Sequence, residues 1–119
     1  IMIHKLPIKI LVIDNKYLGM VRQWQELFYD NRKSGVDMEG NPDFVKLAEA
    51  YGMQAFRIKR PADINKVLTK AMEFDGPCLI HAEVIKEDNV FPMIPAGATV
   101  NEMILKAPTK AMEKPVGST

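Results

Sequence analysis

Asn15, Tyr17, Gly19, Met20 and Trp24 stand close together in the segment Asp14-Asn15-Lys16-Tyr17-Leu18-Gly19-Met20-Val21-Arg22-Gln23-Trp24. Their chemistry is that of binding rather than of bond making. The side-chain oxygen of Asn15 can hold a hard cation such as Mg²⁺, and Tyr17 offers a backbone carbonyl of the same character. An Asn in this position also serves as an ordinary turn former, and spacing alone does not choose between the two. Gly19 either lets the backbone approach a ligand closely or simply begins a helix. Met20 and Trp24 are one helical turn apart and share a face. That face is either plain core or an adaptable thioether and a rigid indole lining an apolar pocket.

Other reactive side chains are sparse. His4 stands in a charged segment, and His81 lies inside an apolar run, where a hydrogen-bonded structural histidine is expected. The single Cys78 precedes Leu79-Ile80 and reads as a buried thiol, with no second Cys or His at zinc-ligand spacing. Asp37, Glu39 and the Lys86-Glu87-Asp88 run are expected to be solvated. Gly-x-Ser-x-Gly, Walker A and Gly-x-Gly-x-x-Gly are all absent. The chain supplies no recognisable nucleophile or general base.

The elements that position these residues follow from pattern. Ile8–Ile13 is β-branched and nearly all apolar, which predicts a central strand buried on both faces. Leu18–Asp30 carries Met20, Val21, Trp24, Leu27 and Phe28 at helical spacing. Asn31–Pro42, rich in Gly, Asn, Ser and charge, predicts a mobile loop. A second helix opens at Pro42-Asp43, with Phe44, Val45, Leu47, Ala48 and Tyr51 on one side and Gly52 as its C-terminal cap. Met53–Ile58 predicts a short strand. Pro61–Phe74 predicts a helix with Ile64, Val67, Leu68 and Ala71 inward, stopped by Asp75-Gly76-Pro77, and Cys78–Ile85 a third strand. This alternation predicts an α/β fold: a three-layer parallel sheet with flanking helices. In such sheets ligands bind beyond the carboxyl ends of the strands, where Asn15 lies. Phe91–Ala98, held from helix by two prolines, predicts an ordered extended loop. Residues 1–105 form one domain in this reading, and 106–119 a flexible tail.

A formal charge of +1 over 119 residues, with acids and bases interspersed, gives no basic face for nucleic acid. No apolar run approaches the roughly 18 residues of a membrane span, and Ile1-Met2-Ile3-His4-Lys5 is too short for a signal peptide core. A soluble, cytoplasmic protein is expected. The first strand begins within a few residues of Ile1 without an element to cover it, so the chain reads as the C-terminal half of something larger.

Over Leu6–Tyr29, Asn41–Gly52 and Pro92-Met93-Ile94-Pro95-Ala96-Gly97-Ala98 the sequence closely resembles the C-terminal thiamine-diphosphate-binding domain of acetohydroxyacid synthase, also called acetolactate synthase. The Gly-Met-Val-x-Gln-Trp and Pro-Met-Ile-Pro segments carry the family-specific part of the resemblance. It implies that thiamine diphosphate is held through Mg²⁺ by Asn15 and the carbonyl of Tyr17, with Leu18, Gly19 and Met20 beside the cofactor. It implies also that Met20 and Trp24 border the pocket for a second 2-keto acid. Members decarboxylate pyruvate and join the product to pyruvate or 2-ketobutyrate in branched-chain amino acid biosynthesis.

Two departures bear on that implication. Family members have Asn-Asn where this chain has Asp14-Asn15, and alternation along the strand predicts that Asp14 points away from the diphosphate. The Gly-Asp-Gly segment that supplies another metal ligand is absent, as is the activating glutamate, which belongs to a partner subunit. The chain alone is therefore expected to be inactive and to work within a homo-oligomer, with FAD and a regulatory subunit left open for the full-length parent. The alternatives are a non-catalytic α/β interaction module, or another thiamine-dependent lyase or oxidase.

Overall fold

The computed structural model describes residues 1–106. Three strands, β1 (Lys9–Asp14), β2 (Gln54–Ile58) and β3 (Cys78–Glu83), form a parallel sheet in the order β1-β3-β2. Lys9 of β1 and Gln54 of β2 both register with Cys78. The expected position of the first strand is thus corrected: β3 is central, and β1 lies at one side of the sheet. Among the described residues only β3 is bonded on both sides, and five of its six residues are buried. It also ends at Glu83, so Val84 and Ile85, expected within the strand, lie beyond it and are exposed.

Helices α2 (Phe44–Ala50) and α3 (Ile64–Glu73) cover opposite faces. Side chains alternate across a strand, so Cys78, Ile80 and Ala82 face one way, where they pack with Ile58, Phe56 and, from α3, Val67, Leu68 and Ala71. Leu79 and His81 face the other way, where the Phe44 ring of α2 meets the His81 ring edge-on at 5.2 Å. The three-layer α/β expectation holds. Asp43 caps α2 by accepting from the Val45 and Lys46 amides, and its carboxylate also binds Arg57 of β2. Arg57 reaches Glu83 of β3 at 2.9 Å as well. Gly52 ends α2 in the left-handed region at φ 75°, as its cap position requires. Ile64, expected to face inward, is exposed, as are Leu47 and Tyr51 on the apolar side of α2. A turn of 3₁₀ helix at Pro61–Asp63 leads into α3.

β1 is less covered than its composition predicts. Leu11 and Ile13 register with Ile80 and Ala82 on the α3 face, yet they are 50% and 60% exposed. The stretch between residues 31 and 42 is more ordered than a loop of its composition suggests. Val36 is buried, its carbonyl accepts from the Leu18 amide, and Met38 donates to the Lys16 carbonyl.

A buried polar link ties β1 to β3. Asp14 (6% exposed) and His81 (2% exposed) meet at 2.9 Å, Oδ2 to Nε2. Asp14 Oδ2 also pairs with Lys16 Nζ at 2.9 Å, and Oδ1 accepts from the Lys16 amide. Burial pushes the Asp14 carboxyl up, but the Lys16 ammonium, the Lys16 amide and His81 together outweigh it and bring it down to about 2. An ionised carboxylate only accepts, so His81 Nε2 is the donor.

Residues from Asp88 onward form a second unit. Met93 and Ile104 exchange antiparallel backbone hydrogen bonds of 2.9 and 2.8 Å. A 3₁₀ turn at Val100–Glu102 is closed by a reciprocal capping box between Thr99 and Glu102. Phe91–Ala98 is non-helical, as expected. The tail expected at 106–119 lies, beyond Lys106, outside the described residues.

Because the folded Asp14 value lies below the ordinary 3.8, its contribution to stability is complete above that pH and is lost as pH falls through about 2. The displacement amounts to about 2 kcal/mol. Urea unfolding should find Asp14→Asn less stable than the native chain by about this much near pH 5, with the gap closing toward pH 2; a gap independent of pH contradicts the pairing. The exposed Leu11 and Ile13 predict self-association. Light scattering at high concentration should detect oligomers that Ile13→Glu weakens, and a strictly monomeric native chain would count against an interface there.

Candidate functional site

The turn Asp14–Leu18 joins the end of β1 to α1 (Gly19–Phe28). Two side chains shape it. Asp14 Oδ1 accepts from the Lys16 amide at 2.9 Å and Asn15 Oδ1 from the Tyr17 amide at 3.1 Å, a pair of overlapping Asx turns. Lys16 between them takes a left-handed conformation, φ 59°. Asp14 therefore faces inward to His81, as strand alternation predicts, while half-buried Asn15 lies at the mouth of the turn.

Gly19 is required by closeness rather than by φ. A Cβ there would lie 3.1 Å from Asn15 Nδ2, so the glycine leaves room for the Asn15 amide against the start of α1. Leu18, at the helix N-cap, supplies no side-chain capping bond, and no acid occupies the first turn. This end of α1 thus presents backbone N–H groups and the positive end of the helix dipole. Asn15 Oδ1 retains acceptor capacity beyond its bond to Tyr17, and the Tyr17 carbonyl is a second hard oxygen close in sequence. The cradle fits a divalent cation and an attached anionic group, though two oxygens fill only part of an octahedral shell. Among the described residues, no cluster of three or more His, Cys, Asp or Glu offers another metal site.

The Tyr17 ring gathers positive charge. The Arg22 guanidinium lies 5.3 Å from the ring centroid, Lys33 Nζ 5.6 Å and Lys86 Nζ 5.0 Å. Lys86 also pairs with Glu39 at 2.5 Å and Asp37 at 3.9 Å. Asp37 and Glu39 are solvent-exposed, as expected, and their pairing with Lys86 links the stretch between residues 31 and 42 to the segment after β3. No local sequence signal announces this, because the partners are far apart in the chain.

α1 turns its polar side inward. Arg22 and Gln23 are 0% and 1% exposed, whereas Met20, Val21 and Phe28 are exposed. Arg22 donates to Glu26 at 2.7 Å and to the Glu87 carbonyl at 2.9 Å. The helical face shared by Met20 and Trp24 is accordingly not core of this unit. Trp24 packs edge-on against Phe28 at 5.2 Å and, with Val21, Gln25, Tyr29 and Arg32, lines an open concavity of about 440 Å³. Met20, 52% exposed, stands at the α1 N-terminus beside Gly19 and Leu18. The structure thus gathers Asn15, Tyr17, Leu18, Gly19 and Met20 at one junction and places Trp24 a turn further along. Sequence reading missed Arg22 and the Asp14–His81 link.

The fold matches that of benzoylformate decarboxylase from Polynucleobacter necessarius with a TM-score of 0.65 at 23% identity, over 74% of this chain and 16% of that one. In sequence the chain is 42% identical over 102 residues to the acetolactate synthase isozyme 2 large subunit of Escherichia coli (strain K12), covering 86% of this chain and 19% of the relative. It is 44% identical over 102 residues to the acetolactate synthase large subunit of Porphyra purpurea, covering 85% and 17%. It is 42% identical over 98 residues to the mitochondrial acetolactate synthase catalytic subunit of Saccharomyces cerevisiae (strain ATCC 204508 / S288c), covering 82% and 14%. The chain spans less than a fifth of the length of each of these relatives. Residues 1–82, which include β1, the turn, α1 and most of β3, match the model of the thiamine pyrophosphate enzyme C-terminal TPP binding domain. The chain belongs to this thiamine pyrophosphate enzyme family, as a C-terminal TPP-binding domain.

Proposed function

We propose that this chain is the cofactor-binding C-terminal part of an acetolactate synthase catalytic subunit. The observation that carries the reading is the β1–α1 junction, where an Asx turn, a glycine cradle and a helix start without a side-chain cap meet. The names of the relatives support the activity.

In this reading Asn15 Oδ1 and the Tyr17 carbonyl hold Mg²⁺, and the N–H groups at the start of α1 face the diphosphate. Thiamine diphosphate bound there supplies an electron sink for decarboxylating a 2-keto acid and joining the remainder to a second one. Leu18 and Met20 cover the bound cofactor with apolar surface and exclude water. Trp24 fills space beside the alkyl group of the acceptor, pyruvate or 2-ketobutyrate, and so favours the larger one. The remaining metal oxygens and the activating acid come from outside these 119 residues, and the exposed β1 face supports assembly into an oligomer. Cys78, fully buried, fits a reducing, cytoplasmic setting, and among the described residues no helix is long and apolar enough to cross a membrane.

The chain alone, supplied with pyruvate, thiamine diphosphate and Mg²⁺, should form no acetolactate. Exchanged for the corresponding segment of the Escherichia coli isozyme 2 large subunit, it should give a chimera that does. Asn15→Ala in that chimera should raise the Mg²⁺ requirement at least about tenfold. A chimera that folds and binds cofactor but yields a different product would refute the assignment. In the active chimera, Trp24→Leu should reduce the preference for 2-ketobutyrate over pyruvate by about tenfold or more, measured by direct competition.

A further inference from the structure

We propose that His81 is a positioning residue for the Asn15–Tyr17 turn, acting through the Asp14 carboxylate. The inference rests on the reading of Asn15 and Tyr17 as metal ligands and extends it to a residue on the central strand.

Lys16 sits at φ 59°, a region that side chains with a Cβ seldom occupy without restraint. The Met38 amide holds the Lys16 carbonyl, and the side-chain restraint comes from Asp14, which grips Lys16 at both ends, Oδ1 on the amide and Oδ2 on Nζ, each at 2.9 Å. With Lys16 so held, Asn15 can bond the Tyr17 amide, which fixes the plane of the Asn15 side chain and the direction of the chain at Tyr17. The grip works only if the carboxylate keeps its own orientation, and the terminal torsion of Asp is soft. His81 sets it through the 2.9 Å bond from Nε2 to Oδ2.

His81 is itself well anchored. It lies on β3, opposite Val12 of β1 and Arg57 of β2, with the Phe44 ring edge-on against it. Its Nδ1 is buried and has no hydrogen-bond partner among the described residues, so Asp14 is the polar restraint on the ring. Three donors converge on Asp14: the Lys16 amide, Lys16 Nζ and His81 Nε2. A carboxylate has two acceptor oxygens for them, and an Asn side chain has one. The order of restraint therefore runs from the middle of the sheet through His81, Asp14 and Lys16 to the two ligand oxygens.

A link that merely staples β1 to β3 would affect the whole sheet alike, and hydrogen exchange in the full chain without metal separates the two roles. His81→Phe keeps a ring against Phe44 and removes Nε2. It should speed exchange at the Lys16 and Tyr17 amides by about tenfold relative to those of β3, and His81→Gln, which can still donate, should restore slow exchange. Unchanged Lys16 and Tyr17 exchange, or a change equal to that of β3, overturns the proposal. Should His81→Phe not fold, Asp14→Asn is read in the same way, by selective loss at Lys16. Selective exchange alongside a folded chimera whose Mg²⁺ requirement ignores Asn15→Ala would support His81 as the anchor of the turn and overturn the metal reading.

Discussion

A carboxylate taken out of water at the end of a side strand sets the terms for everything around it. Asp14 is almost wholly buried, and burying a lone carboxylate is costly enough that it must be paired or neutralised. The pairing is supplied from two directions, by the next residue but one and by a histidine 67 positions further along. Once Asp14 is satisfied in this way, the chain can turn sharply, present Asn15 outward and start a helix within a few residues. The same bond adds a side-chain link between β1 and β3 to their backbone ladder.

The first helix inverts the usual arrangement. A helix with one apolar stripe ordinarily buries it, but here Arg22 and Gln23 are inside and Val21 and Met20 outside. A buried guanidinium needs partners, and Arg22 has Glu26 and the Glu87 carbonyl for its two terminal nitrogens and lies near the Tyr17 ring. The contacts to the Glu87 carbonyl and the Tyr17 ring help to hold α1 in place. They leave the apolar stripe available to face a ligand or another polypeptide.

Much of the fold was legible. Cys78-Leu79-Ile80 reads as a buried strand, Gly52 as a helix stop and Asp43 as a helix start, and all three act so. Each depends on local chemistry. The misplaced central strand had a different cause: Ile8–Ile13 is as apolar as β3, and composition does not say which strand has two neighbours. Periodicity likewise told which residues of α1 share a face, not which face is inward. The site divided along the same line. Asn15, Tyr17 and Gly19 are contiguous and could be singled out, whereas the restraints on them come from His81, Lys33 and Lys86, which no spacing rule connects to the turn.

The strand order has a further consequence, for the time course of folding. The strand at the centre of the sheet is the last of the three in the chain, and both its neighbours precede it. Among the described strands no pair is bonded until β3 is made, and the β1–β3 ladder closes over a long stretch of chain. High sequence separation of this kind slows folding and prolongs the exposure of unpaired strand edges. During synthesis β1 must wait, with its Asp14 still in water, for the segment that carries His81. The turn at Asn15 and Tyr17 is therefore made before the segment that gives it its final shape.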